Sequence, residues 1–511
     1  MLSLIKPYLF YISMHGLGIS LLLGYGLGKL ARGRAWRWTD GALQILATIA
    51  YVAMSGVAVA YLFYPNFIDH VEPTVASLGL IFRSGGDIYP PVDTYTFHGL
   101  LYGPLLAMVQ ALFQGLSDDP IFNAKLPGVL AFVGFFALSW YWIRPAMARG
   151  YLLIVLTFGL FVFWNRPEPF FLLLVALAAG LRASQHSRVA WLGLGLLTAL
   201  AFGLKAHAIL YILPWVYWRW HDTRDDVMPA ATLWSLGAAV GCVFCFAWPQ
   251  VSVAHYLEYM RLASQHGISL RMLERNLVLV ALMAVPLLLH WNPWANAHRG
   301  VLAVALVCEL LVAVVGAKPG AGTHHLLPFL FLNALVLSQM LQAPDARSRE
   351  WVKYAMLLLA LYLLLADLPR SVRSEAADNR FSIQPAIRQE LTLIAREYPD
   401  ALMGVSNGVA EPYARTFYRV LLISTGQPQL DAAAFMDLNF SGTGDRALAD
   451  ALRSCRRPVV VLPKDGAPFS IPNFYPTKTT LFSDEVRQTF QQSYHLVASK
   501  TFYDVYTCQT P

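Results

Sequence analysis

The sequence predicts a polytopic α-helical membrane protein of about twelve spans, residues 1–369, followed by a soluble α/β domain, residues 370–511. Three observations predict it. Of 511 residues 57% are hydrophobic and 14% are charged, and a soluble chain carries roughly a quarter charged residues. The apolar residues fall in runs of about fourteen to twenty-four, long enough to cross or nearly cross a hydrocarbon core of about 30 Å. After Pro369 these runs stop and the composition becomes ordinary.

The first apolar run, 7–28, follows Lys6 as a signal peptide would. It lacks a small-residue cleavage site, however, and Ala31-Arg-Gly-Arg-Ala-Trp-Arg37 follows as a basic stop, so it reads as a retained helix. Lys29, Arg32, Arg34 and Arg37 separate it from the run 41–64, and so basic a short loop is expected on the cytoplasmic side. The N-terminus and the loop 66–120 are then outside. Within that loop the run 99–116 is expected to lie along the surface as an interfacial helix, because Arg144 and Arg149 would otherwise face outward. Further spans follow near 121–143, 150–165, 168–182, 189–205, 206–219, 229–248, 277–290, 300–316, 326–341 and 354–369. The inner connectors then hold Arg182 with Arg188, Arg219 with Arg224, Arg299, and Arg347 with Arg349 and Lys353.

In the tail, Gln384 to Arg396 has the pattern of an amphipathic helix, and Arg446 to Arg453 reads as another. Ala401 to Val405 and Pro458 to Pro463 read as buried strands, and Tyr494 to Tyr506 as a hairpin around Ser499-Lys500. Both ends of the chain are thus expected outside. Cys455 and Cys508 both lie in this tail, where an oxidising compartment would allow a disulfide; the sequence leaves the pairing open. Cys242 and Cys245, inside an apolar run without partner ligands, read as buried small hydrophobes.

The formal charge of +7 does not point to nucleic acid, because the Lys and Arg residues sit mostly in connectors, where they orient the chain. Ionisable residues at membrane edges are costly and therefore informative. They gather on one expected side. Asp69 and Glu72 follow the second span; Arg166 and Glu168 sit in Asn165-Arg-Pro-Glu-Pro169; Lys205 sits in Gly203-Leu-Lys-Ala-His207; Lys318 opens a connector that contains His324 and His325. Taken singly, Arg166 or Lys205 is as readily a snorkelling anchor, and two adjacent histidines without a third ligand do not make a metal site. Together, acids and cations at a lipid boundary suit an anionic, lipid-attached substrate, with cations on a phosphate and a carboxylate handling a proton. No metal and no cofactor is called for, since the cations can neutralise the phosphodiester.

These residues carry a resemblance. Asp69-His-Val-Glu-Pro73, Tyr102-Gly-Pro-Leu105, Ala124-Lys-Leu-Pro-Gly128, Arg166-Pro-Glu168, Leu204-Lys205, and Lys318 leading to Leu326-Leu-Pro328 together resemble the GT-C superfamily. Within it the chain looks like the branch of protein O-mannosyltransferases and lipid A aminoarabinose transferases, over about residues 60–369. The resemblance implies a bacterial inner-membrane glycosyltransferase that moves a sugar from a polyprenyl-phosphate donor to a lipid, glycan or protein acceptor at the periplasmic face, with inversion. By position it implies catalysis by Asp69 and donor phosphate contacts from Lys205 and Lys318; the residues themselves add Arg166 on the phosphate and Glu72 as a second acid. Glu168, Tyr102, His324 and His325 are expected in support, with Glu168 fixing Arg166. His70 stands where the family usually has a second acid. The rival readings are a glycan polymerase or ligase using lipid diphosphates and a lipid or sugar transporter; the latter should show related halves, which the sequence lacks.

Overall fold

A computed structural model describes residues 19–20, 22–27, 39–96, 98–343, 350–367, 383–407, 410–423, 428–439, 442–473 and 479–509. Most of the expected first span, the basic loop after it, Arg347, Arg349 and the junction at 369–370 lie outside these residues.

The membrane-facing part is a bundle of helices that run back and forth between two ends. It comprises α1 (Thr39–Phe63), α2 (Val71–Arg83), α3 (Pro104–Phe113), α4 (Pro120–Trp142), α5 (Ala146–Leu152), α6 (Glu168–Ala183) and α7 (Ser187–Leu204). There follow α8 (Ile209–Thr223), α9 (Val227–Phe246), α10 (Val253–Ala263), α11 (Leu270–Leu289), α12 (Arg299–Val315), α13 (Leu327–Gln342) and α14 (Glu350–Tyr362). Among the described residues six helices are long and apolar enough to cross a membrane: α1, α4, α7, α9, α11, and α13 with the turn before it. The other expected spans in the described part fall on shorter helices.

The differences have local causes. The expected span 150–165 is not one α-helix: α5 ends at Leu152 and continues as a 3-10 stretch to Val162, which Gly159 interrupts at φ 56°. Helix α11 begins at Leu270, seven residues before the apolar run at 277, because the hydroxyl of Ser269 caps it by accepting from the Met272 N–H. Pro120 and Asp119 start α4 as expected of a proline in the first turn behind a capping acid; the Asp119 carboxylate accepts from the N–H groups of Ile121 and Phe122.

Helix α3 has only 10 residues, too short to cross, in keeping with a non-spanning segment. It does not lie on the surface, however. Pro104 to Met108 and Gln110 are buried, and the helix packs on α2, α4 and α7. Helices α7 and α9 cross at a small-residue contact, where a Cβ on Gly195 would sit 1.9 Å from the Trp234 carbonyl oxygen. The outer face of α9 carries exposed Leu236, Val240, Val243 and Phe244, and the Cys242 read as buried is exposed with them. Cys245 is buried.

The C-terminal part contains α15 (Gln384–Glu397), β1 (Leu402–Met403), α16 (Ala432–Leu438), α17 (Thr443–Arg453), β2 (Val459–Pro463), α18 (Asp484–Ser493), β3 (Tyr494–Ser499) and β4 (Tyr503–Cys508). The sheet is mixed, in the order β1-β2-β4-β3. Strands β1 and β2 are parallel and the other pairs antiparallel, with Val460 opposite Tyr506 and a bulge between Leu496 and Ala498. Cys455 and Cys508 form a disulfide.

Buried polar contacts tie this part to the bundle. Arg419 donates to Thr74 Oγ1 at 2.8 Å and to Asp431 Oδ1 at 3.2 Å, and the Thr74 hydroxyl donates to the same carboxylate at 3.0 Å. Asn66 donates to Gln384 Oε1 at 2.9 Å, and Arg388 pairs with Asp119 at 2.8 Å.

Candidate active site

Connectivity brings the singled-out residues together. Arg166 precedes α6, Lys205 follows α7, and Lys318 with His324 and His325 joins α12 to α13, so all stand at one end of the bundle. The basic residues expected inside, Arg182, Arg188, Arg219, Arg224 and Arg299, sit at the opposite ends of the same helices or in their connectors. A cavity of about 270 Å³ opens at the first end, lined by Tyr102, Arg166, Lys205, Lys318, His324 and His325.

A glycine contact brings two of its lining residues, Tyr102 and Lys205, together. The Gly103 N–H donates to the Leu204 carbonyl at 2.9 Å, and a Cβ on Gly103 would stand 2.2 Å from the Gly203 carbonyl oxygen. With both positions bare, the start of α3 reaches the end of α7, and Lys205 Nζ lies 4.9 Å from the centre of the Tyr102 ring. No hydrogen bond reaches the Lys205 ammonium from the described residues. Burial lowers it to about 8, with Lys318 and Arg166 acting in the same direction and Glu168 opposing. Lys318 is also lowered by burial, against the pull of Asp437, whose carboxylate is 3.9 Å away.

Asp69 forms an ion pair with Arg166 and lies 3.3 Å from His70 Nδ1; its carboxylate also accepts from the Val71 N–H at 2.9 Å. Burial alone would raise its carboxyl, but the charges and hydrogen bonds of Arg166 and His70 outweigh burial and hold it well below the usual carboxylate range. The other face of Arg166 covers the Trp164 ring at 4.2 Å. The ion pair thus stands at the cavity wall, with Arg166 and His70 exposed to the cavity and Asp69 behind them.

Like Asp69, Glu72 and Glu168 are not among the residues that line this cavity. Glu72 is fully buried under the loop: it is hydrogen-bonded by the Tyr61 hydroxyl and accepts from the N–H groups of Ile68 at 2.8 Å, Asp69 at 2.9 Å and Asn165 at 3.2 Å. It fixes the backbone that presents Asp69. Glu168 does not pair with Arg166 as expected. Arg166 turns to Asp69, whereas Glu168, buried in the first turn of α6, has His324 Nε2 at 3.7 Å and makes no hydrogen bond to another described residue. His324 stacks on Phe161 at 4.4 Å.

The structure adds residues that the sequence did not single out. His207 lines the cavity two positions after Lys205, a proximity visible in the motif but assigned no role. Asp437, Met436 and Ala433 come from α16, more than a hundred residues beyond Lys318, with no sequence signal to bring them there. Lys125 is fully buried and donates to the carbonyls of Tyr61 at 3.0 Å, Tyr64 at 2.6 Å and Asn66 at 2.6 Å, closing the end of α1.

Cations from three connectors and an acid in the loop after an early helix thus meet at one end of a polytopic helical bundle with six helices of membrane-spanning length among the described residues, and its opposite end is basic. Among solved structures the chain is similar to ArnT from Cupriavidus metallidurans, determined bound to undecaprenyl phosphate. The TM-score is 0.53 and the identity 13%, over 90% of this chain and 97% of that one; the likeness is one of fold. No protein-family model and no curated protein matches the chain.

Proposed function

We propose that this protein is a glycosyltransferase that moves a sugar from a polyprenyl-phosphate donor to a hydroxyl or amine acceptor at the periplasmic face of a bacterial inner membrane. The observation that carries the proposal is the convergence of Arg166, Lys205 and Lys318 on one cavity at the end of the bundle opposite its basic connectors. The fold shared with a protein solved with undecaprenyl phosphate bound supports it, as does the Cys455–Cys508 disulfide, which persists in an oxidising compartment.

In this reading the acceptor oxygen or nitrogen attacks the anomeric carbon as the bond from that carbon to the phosphate oxygen breaks, with inversion in one displacement. The departing polyprenyl phosphate gains negative charge on the oxygen it keeps, and the three cations stabilise that charge as it develops. Asp69, kept ionised by Arg166, orients the acceptor and takes its proton late, once bond formation has made that proton acidic. Glu72 is a positioning residue, and the C-terminal part contributes Asp437 to the wall where the acceptor enters.

The test supplies radiolabelled sugar on polyprenyl monophosphate and, separately, on polyprenyl diphosphate to membranes containing the protein. Transfer from the monophosphate alone is expected, reduced about 10²–10⁴-fold by Asp69→Asn in a folded protein. Transfer only from the diphosphate would replace the proposal with a polymerase or ligase, and movement of label across the membrane without transfer would replace it with a transporter.

A further inference from the structure

At the end of the bundle away from the cavity, α8 closes with His221 and Asp222, and the turn Pro293–Ala297 leads through His298 into α12. The two histidines and the carboxylate face one another, with one ligand atom of each inside a sphere of contacts no wider than 4.8 Å. His221 Nδ1 and His298 Nε2 each lie 3.4 Å from Asp222 Oδ1.

The tautomers are fixed from behind. His221 Nε2 is 3.0 Å from the Ala297 carbonyl and His298 Nδ1 is 2.9 Å from the Trp294 carbonyl. A carbonyl only accepts, so each of these nitrogens carries the proton, and the nitrogen turned toward Asp222 is left with a lone pair. Donation of the rear N–H to a backbone carbonyl is the usual support of a metal-bound imidazole. Stacking of Trp294 on His298 at 4.0 Å holds that ring in place, and Arg182 occupies the other carboxylate oxygen, Oδ2, at 2.6 Å. Three lone pairs therefore converge on a space with no donor between them.

A cation among the three atoms would meet all of them at once. A charge-assisted N–H to carboxylate bond is about 2.7–2.9 Å long, whereas both separations here are 3.4 Å. Ligands about 2.0–2.1 Å from a tetrahedral zinc are about 3.3–3.4 Å from one another, the spacing of both histidine–carboxylate pairs, and all three atoms lie within 4.8 Å of one another. We propose that His221, Asp222 and His298 bind a divalent ion of the zinc class, with water in the fourth position, and that the ion ties the end of α8 to the start of α12. The proposal is independent of the transferase reading, because these residues lie at the far ends of the helices that carry Lys205 and Lys318 to the cavity.

The full-length protein, purified in detergent and stripped with chelator, is titrated with Co²⁺. The expected result is the visible absorption of tetrahedral Co²⁺ saturating at about one equivalent, loss of that absorption in His221→Ala and in His298→Gln, and a Zn²⁺-dependent rise in the unfolding temperature of the natural protein that both variants lack. Absence of the Co²⁺ signal in the natural protein overturns the proposal whether or not either variant folds. An unchanged signal in both variants overturns it as well, by placing the ion elsewhere.

Discussion

Two lysines, the buried Lys125 and the half-buried Lys205, show how differently the same side chain is used in two regions of this bundle. Lys125 is enclosed: three backbone carbonyls accept from it, and Tyr61, Tyr64 and Phe67 rings surround it at 4.6–5.8 Å. Lys205 is half-buried: its ammonium faces a cavity beside two further cations, with the Tyr102 ring close by. A buried charge whose hydrogen bonds are filled by the protein stabilises the fold. One left facing a void alongside like charges adds to the cost of folding and is suited to a ligand that brings the opposite charge.

The largest expected effect on stability comes from breaking the enclosed member. Lys125→Met leaves three buried carbonyls without a donor and Glu72 without a neighbouring cation, which we expect to cost about 3–5 kcal/mol; thermal unfolding in detergent reads this directly. Lys205→Met should leave the unfolding temperature unchanged or raised while transfer falls about 10²–10³-fold, the size of losing one group that stabilises developing charge. If both variants lost stability alike, the contrast between the two lysines would fail.

The same contrast has a pH signature. In the proposed reaction Lys205 holds phosphate as a cation, and its ammonium is lowered to about 8, so kcat/KM should fall as pH rises through about 8. In Lys205→Arg the guanidinium stays charged, and the alkaline fall should disappear. Asp69 is held well below the usual carboxylate range, so it should add no acidic fall near its ordinary value of about 4. A smaller effect is expected of Gly103→Ala, whose new methyl meets the Gly203 backbone: about 1–3 kcal/mol of stability, with a higher KM for donor as Lys205 is displaced.

Much of this contrast was legible in the sequence, and its limits follow from distance along the chain. Hydrophobic run length located α1, α4, α7, α9 and α13 to within about two residues, because a bilayer fixes how long an apolar helix must be. It failed at α5, where Gly159 interrupts a run that is apolar throughout. Arg166, Lys205 and Lys318 could be gathered at one end because each sits at a hairpin, so that counting crossings assigns its side. No such count reaches Asp437, which arrives through packing of α16, nor does it tell Glu72 from Asp69, since their burial depends on which peptide N–H groups turn inward. Nor did the pattern show that Lys125, inside the expected span 121–143, would be enclosed by the carbonyls of Tyr61, Tyr64 and Asn66.

The wall supplied by α16 has a consequence for when the protein first becomes competent. Every helix of the bundle leaves the ribosome and enters the bilayer before Ala433, Met436 and Asp437 have been translated. Until the Thr74–Arg419–Asp431 contact closes, the three cations border an open trough rather than a chamber. Synthesis of the last quarter of the chain therefore completes the cavity wall, and a nascent chain stalled at residue 400 would lack it.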